Sequence, residues 1–344
     1  MGYHLGGINM LTRRTSIKVV YEDKDITRDI EKDVMGFSYT DNASGTADDI
    51  SITLRDNNKK WINEWKPTKG DRIEISIETL NWRHEGDNQR LNCGKFMVDD
   101  VDYSGRPRSL TIGAISTPAN SDFMQVPKNR TWSHSSLKEI ATSLTKNYHI
   151  GLFYDTNANP IIQFIEQSDQ SDSSFLLDLC KKNGLAIKIY NEKLVIFSEQ
   201  EYESKKSVDI LDEKDMLSWS AKNSWADTGY KSCEVAYTDP VTNNNYKYIF
   251  TDAKSQSNKV YKVNETVSSY AEAQVLAKSI LRERNKTEHT FSFSVPGNVK
   301  LVASSCVDIV GFGLFDGKYY IDKVTHNING FTSNVDTHRV LEGY

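Results

Sequence analysis

The sequence predicts a mainly β protein carrying an α+β insertion. Three observations lead there. Apolar residues alternate with polar ones over short runs, as at Ile17, Val19 and Tyr21, at Ile50, Ile52 and Leu54, and at Ile73, Ile75 and Ile77. Period-two alternation marks strands with one buried and one polar face. Turn chemistry separates the runs, at 41–45, Pro67–Gly70 and Gly105–Pro107, where Gly, Pro, Asn and Asp punctuate the chain. Helical periodicity is confined to a central block and to one later segment.

Residues 1–117 read as the first β-rich domain. Trp61 and Trp65, four apart, share one face of a short helical turn. The stretch 117–127 has little periodicity and reads as a linker. Residues 118–205 form the α+β block. Ser136 and Glu139 make a capping box, in which each side chain satisfies a free amide at the helix start. Leu137, Ile140, Ala141 and Leu144 follow at helical spacing. A second helix starts at Asp172, whose carboxylate is placed to accept from free amides. Phe175, Leu176, Leu179 and Cys180 form its apolar stripe, and Gly184 ends it. Segments 185–190 and 193–197 pair across Asn191-Glu192. The charged run 199–206 reads as a solvated connection.

Residues 206–344 read as a second β-rich domain with a helix near 270–285. Ser269 and Glu272 form another capping box, and Ala273, Leu276, Ala277, Ile280 and Leu281 trace one face. Core packing is the primary reading of that face, with a contact between protomers or between tube rings as the alternative. Phe291, Phe293 and Val295 alternate with Ser and Thr. Strands at 306–310 and 319–324 are expected to join through Asp316-Gly317, and Asn329-Gly330 reads as a tight turn. No internal repetition stands out along the chain.

Composition limits the function classes. The 344 residues exceed one ordinary core and suggest two or three domains. With 17 Tyr, 13 Phe and 6 Trp the chain can bury a core. A net charge of -5 with interspersed signs argues against a general nucleic-acid or anionic-membrane binder. Cys93, Cys180, Cys233 and Cys306 lie far apart, without metal or redox spacing. They read as reduced thiols, with Cys180 buried in its helix. The N-terminus lacks signal-peptide order, and no apolar run reaches the ~20 residues of a membrane span. Synthesis in the bacterial cytoplasm without stable membrane insertion is expected.

Three segments carry a resemblance. They are TADDISITLRD followed by KPTKGDRIEISI (46–56 and 66–77), IQFIEQSDQSDSSFLLDLCKKNGLAIKIYNEKLVIF (162–197), and VPGNVKLVASSCVDIVGFGLFDGKYYIDKVTHNING (295–330). In this order they resemble the phage late control protein D family. Its members are the baseplate hub proteins of contractile tails, of defective-phage particles and of phage-tail-like bacteriocins. The resemblance implies two domains similar to the tail-tube β-barrel, flanking a middle α+β domain. It implies a homotrimer whose six barrels form a pseudo-hexameric ring between the hexameric tail tube and a trimeric central spike. The implied partners are the tube protein, the spike, a tape-measure protein and baseplate wedge proteins. DNA is implied only as transient cargo of the lumen. The implied location is the baseplate of a virion or tail-like particle. The chain ends without β-helical repeats, so a spike is expected to be a separate subunit.

Signatures of chemistry are thin. Asp100 and Asp102 share a strand face near Asp99 and read as solvated rather than as a Ca²⁺ site. His134 and His149 lack zinc spacing. His326 follows a strand and reads as capping or packing a turn. Gly311-Phe312-Gly313 reads as a tight turn, since no helix follows to bind phosphate. No catalytic, cofactor or metal residues are assigned, and no enzyme activity is expected. Phe312, Leu314 and Phe315 read as an exposed apolar tip that contacts a neighbouring subunit or the spike. Two alternatives remain. One is a cell-wall-degrading or peptidoglycan-binding tail protein. The other is a distal tail component of a non-contractile phage.

Overall fold

The computed structural model describes residues 12–118, 122–240, 243–255 and 257–344. The N-terminal stretch read for a leader lies outside them up to residue 11, as do residues 119–121 of the expected linker.

The first β-rich region contains β1 (Arg14–Tyr21), β2 (Lys24–Asp25), α1 (Thr27–Ile30), β3 (Val34–Asn42), β4 (Asp49–Arg55), β5 (Arg72–Leu80), β6 (Gln89–Ser104) and β7 (Ser109–Ile115). The alternation seen in sequence becomes burial: Val19, Ile50, Ile52, Leu54, Ile73, Ile75 and Ile77 all point into one apolar cluster. Trp61 and Trp65 meet edge to face at the same apolar cluster, with ring centroids 5.7 Å apart.

The central block contains α2 (Asp122–Gln125), β8 (Pro127–Ser136), α3 (Leu137–Lys146), β9 (Gly151–Asp155), β10 (Ile161–Ser171), α4 (Asp172–Lys182), β11 (Ala186–Tyr190), β12 (Lys193–Phe197) and α5 (Glu199–Glu203). α3 carries the expected capping box. Asn191 and Glu192 both have positive φ, the conformation a tight two-residue hairpin demands. Two expectations change here. The linker contains α2, whose Phe123 is fully buried in this block's core. Ser171, not Asp172, caps α4, accepting from the Ser174 amide at 3.3 Å. Asp172 instead accepts from Arg130 at 3.0 Å, Tyr148 at 2.7 Å and Gln167 at 2.7 Å. A buried carboxylate gains more from charge-assisted partners than from a cap already supplied by serine.

The remaining chain contains β13 (Asp209–Leu211), β14 (Ser218–Asn223), β15 (Ser232–Thr238), β16 (Asn245–Thr251), β17 (Val260–Val263), α6 (Tyr270–Asn285), β18 (His289–Pro296), β19 (Cys306–Ile309), β20 (Gly317–Asn327) and β21 (Thr332–Arg339). α6 lies on the separate sheet β16-β15-β17 and buries Ala273, Leu276, Ala277 and Leu281 against it, which is the core-packing reading. Its cap differs from a simple box. Ser269 accepts from the Glu272 amide at 3.1 Å, while the Glu272 carboxylate reaches Ser268 instead. The connection from β19 to β20 also differs in form from a tight turn at Asp316-Gly317, since Gly317 already belongs to β20. It includes a 3-10 turn at Gly313–Phe315, and Asp316 is extended.

The largest sheet has thirteen strands, and the same six-strand order occurs in it twice. In the first half the order is β3-β4-β7-β6-β5-β1, and in the second it is β14-β18-β21-β20-β19-β13. The correspondence holds residue by residue. Ile73 pairs with Phe96 and Ile75 with Gly94, as Val307 pairs with Tyr319 and Ile309 with Gly317. A bulge falls between Val98 and Asp100 on β6, and another between Ile321 and Lys323 on β20. The Gly70 amide donates to the Val98 carbonyl, and the Ser304 amide donates to its counterpart on Ile321. The halves differ at one edge, where β1 runs antiparallel to β5 and β13 runs parallel to β19. Internal repetition, not noticed in the sequence, is therefore present.

Candidate assembly surfaces

The two halves join within one sheet because β20 forks. Its first part pairs with β19 through Tyr320, and its second part, Lys323–Asn327, pairs with β3 from Asn42 back to Ser38. The bulge at Asp322 separates the two parts and lets the strand leave one partner for another. Buried polar groups hold the fork. His326 is fully buried inside β20, which corrects its reading as a residue beyond the strand end. Its Nε2–H donates to the Leu301 carbonyl at 3.1 Å. Its bare Nδ1 then accepts from the Ser333 hydroxyl at 2.9 Å. Burial pulls its pKa down to about 4, so the ring is neutral at pH 7. It stacks on Tyr39 of β3.

Two charged clusters brace the same region. Lys188 of β11 pairs with Asp41 and with Asp48, the latter at 3.1 Å, tying the central block to β3. Burial pushes the Asp48 pKa up to about 7 despite the Lys188 ammonium beside it. The second cluster joins α5, α6, β20 and β21. Glu203 pairs with Arg282 and accepts from His338 Nε2 at 3.1 Å, and Asp322 accepts from His338 Nδ1 at 2.8 Å. Burial lowers the pKa of His338, and the two carboxylates more than reverse that, leaving it raised. Burial likewise opposes ionisation of Glu203, yet His338 and Arg282 leave its pKa lowered. Glu203 is 2% exposed. The run 199–206 is thus not simply solvated, since it delivers a carboxylate to the core. These groups are paired with one another in packed surroundings. Their arrangement braces the elements that carry them.

The other singled-out residues scatter. Asp99, Asp100 and Asp102 are exposed on β6. His134 on β8 and His149 in the turn after α3 sit exposed at positive φ. Among the described residues no group of three or more His, Cys, Asp or Glu is placed to hold a metal. All four cysteines are buried and free. The apolar tip divides. Phe312 packs edge to face on Phe291 and Trp219, and it and Phe315 lie against the second half's core. Only Leu314 projects, at 64% exposure. The expectation of a wholly exposed tip is corrected for both phenylalanines, because the 3-10 turn folds their rings inward.

At two strand edges of the largest sheet, one half lacks a partner that its counterpart in the other half has. β14 pairs with β18 alone, and β6 beyond Met97 pairs with β7 alone. Sequence reasoning missed these edges. The signal available was the pair GKFMVDDVDYS (94–104) and GKYYIDKVTHN (317–327), which align without a gap.

No family model matches the chain. It is 29% identical to the probable baseplate hub protein of Escherichia phage P2 over 182 residues, 52% of this chain and 43% of that protein. It is 27% identical to the corresponding protein of Escherichia phage 186 over 176 residues, 50% of this chain and 42% of that protein. The chain resembles phage baseplate hub proteins. The match spans less than half the length of these relatives. Solved structures share the fold. The 43 kDa tail protein of prophage MuSo2 from Shewanella oneidensis superposes with TM-score 0.72 at 15% identity, covering 94% of this chain and 98% of that one. A tail protein from Neisseria meningitidis MC58 gives 0.72 at 11% identity, covering 94% and 96%. A type VI secretion component, the Escherichia coli c3393 protein, gives 0.59 at 10% identity, covering 96% and 78%. The hub resemblance read from the three segments and the mainly β fold class therefore stand.

Proposed function

We propose that this chain is the structural hub of a contractile baseplate. Three copies form a pseudo-hexameric ring that joins the hexameric tail tube to a trimeric central spike. The observation that carries this reading is the doubled six-strand order in one continuous sheet. Two similar halves per chain let three chains present six similar units to a sixfold neighbour while remaining threefold for another. The three regions 1–117, 118–205 and 206–344 serve as first barrel, central brace and second barrel. The work is binding, without covalent chemistry. Permanent contacts of this kind bury ~2,000 Å² or more. The Phe312–Phe315 loop meets the spike or a neighbour through Leu314, with Phe312 and Phe315 supporting it from the core. The ring admits DNA or a tape-measure protein as passing cargo, and wedge proteins attach outside it. The protein is made in the cytoplasm and works in a virion or tail-like particle.

Native mass spectrometry of the full chain, alone and with the candidate spike and tube proteins, tests this reading. A threefold species in any of these mixtures is expected. A monomer in all of them defeats the ring.

A further inference from the structure

The in-chain junction has an unused copy of itself. The junction pairs Lys323–Asn327 of β20 with Asn42–Ser38 of β3. The two halves correspond residue by residue, so each side has a counterpart. The counterpart of 323–327 is Asp100–Ser104 of β6, because both follow the bulge and pair in one register with β7 or β21. The counterpart of Ser38–Asn42 is Ser220–Ser224, set by the pairing of β3 with β4 and of β14 with β18. In the chain the first two segments are joined and the second two are open. Burial follows. Phe37 is 4% exposed but its counterpart Trp219 is 44%, and His326 is 0% exposed but its counterpart Tyr103 is 39%.

Open edges carry unpaired amides and carbonyls, and aromatic side chains left half bare beside them mark a surface that another chain covers. We propose that β6 of one protomer pairs antiparallel with β14 of the next, in the register of the internal junction. That places Val101 opposite Asn223, Asp102 opposite Lys222, Tyr103 opposite Ala221 and Ser104 opposite Ser220. The occupant of each edge is a second copy of this chain. The inference rests on the ring reading above and names the surface through which the ring closes.

Charge selects this pairing over others. Asp102 and Lys222 are both exposed, and among the described residues neither has an ion-pair partner within the chain. Directly opposite charges on neighbouring strands attract, and like charges repel. Pairing β6 with β6 sets acidic residues against each other. The equivalent in-chain pair is uncharged, Thr325 opposite Thr40. The contact is heterologous, one edge meeting a different edge, so copies join head to tail and a closed ring covers both of these edges in every copy. Strand addition of this kind takes affinity from main-chain bonds and specificity from the side chains beside them.

Cysteine pairs test the register. Chains carrying Asp102→Cys and Lys222→Cys are mixed at oligomer-forming concentration and oxidised. The double variant Thr40→Cys/Thr325→Cys reports whether the equivalent in-chain position accepts a disulfide. The expected result is a covalent dimer from the mixture, and a covalent ladder ending at three from a chain bearing both Asp102→Cys and Lys222→Cys. The register-shifted pair Asp102→Cys with Ser220→Cys gives much less. A threefold species with a closing in-chain control but no Asp102–Lys222 cross-link overturns this inference and leaves the ring standing. Absence of any oligomer, with tube and spike proteins present, removes both. Should the engineered thiols perturb the chain, charge reversal decides. Asp102→Lys weakens association by roughly fivefold per junction, and adding Lys222→Asp restores it. Equal association of all three chains counts against the pairing.

Discussion

His326 makes the stability of this protein depend on pH in a direction that its geometry fixes. The ring is fully buried, donates to the Leu301 carbonyl and accepts from Ser333. Burial holds its pKa at about 4 in the folded state, against about 6.5 in the unfolded chain. Above pH 6.5 both states are neutral and the residue adds no pH dependence. As pH falls from 6.5 toward 4 the unfolded chain binds a proton that the folded chain refuses, so stability is lost. Over that window the loss is on the order of 3 kcal/mol, at about 1.4 kcal/mol per pH unit. The perturbation is His326→Gln, whose amide can repeat both hydrogen bonds without titrating. At pH 7 the variant is less stable by roughly 1–2 kcal/mol, from imperfect replacement of a packed ring. Urea unfolding of both proteins is measured at pH 7, 5.5 and 4, with near-ultraviolet circular dichroism as the readout. The difference between the two is expected to shrink and then reverse by pH 4. A difference that stays constant across the series would refute a neutral buried imidazole. His338 works in the opposite sense. Its raised pKa contributes stability below 6.5 that is lost as pH climbs through the folded value. Both proteins contain it, so it cancels in the comparison.

Further outcomes follow from the same buried pairs and packed rings. Glu203→Gln leaves Arg282 and His338 without their shared carboxylate and costs roughly 3–5 kcal/mol, read as a drop in thermal midpoint. Lys188→Met strands Asp41 and Asp48. Because the Asp48 pKa is already raised, the variant's deficit is expected to lessen between pH 7 and pH 5, and an unchanged deficit counts against that assignment. Phe312→Ala opens a gap beside Phe291 and costs roughly 3 kcal/mol. Leu314→Asp, at an exposed position, stays within about 0.5 kcal/mol of the parent. It reduces capture of the spike or a neighbouring copy in a pull-down, whereas undiminished capture argues against a contact at this loop.

Local patterns in the chain were enough to place most elements. Alternating isoleucines specified β4 and β5, because a strand's side chains change face at every residue. Ser136 with Glu139 marked the start of α3, and Asn191-Glu192 marked a hairpin, because both depend on neighbours within a few positions. Three segments in order were enough for the hub resemblance. Tertiary structure decided what depends on distant partners. Glu203 looked like part of a solvated run until α6 brought Arg282, and β21 brought His338, to its carboxylate. Phe312 and Phe315 looked like an exposed tip until the 3-10 turn set them against Phe291 and its cluster. The fork of β20 pairs residues far apart in the chain, and the open edges of β6 and β14 follow from the same long-range order of strands. Short-range patterns fix which face of a strand is apolar, but they carry no record of which strand lies beside it. That choice belongs to the assembled sheet, where backbone amides and carbonyls either find a partner or remain open for one.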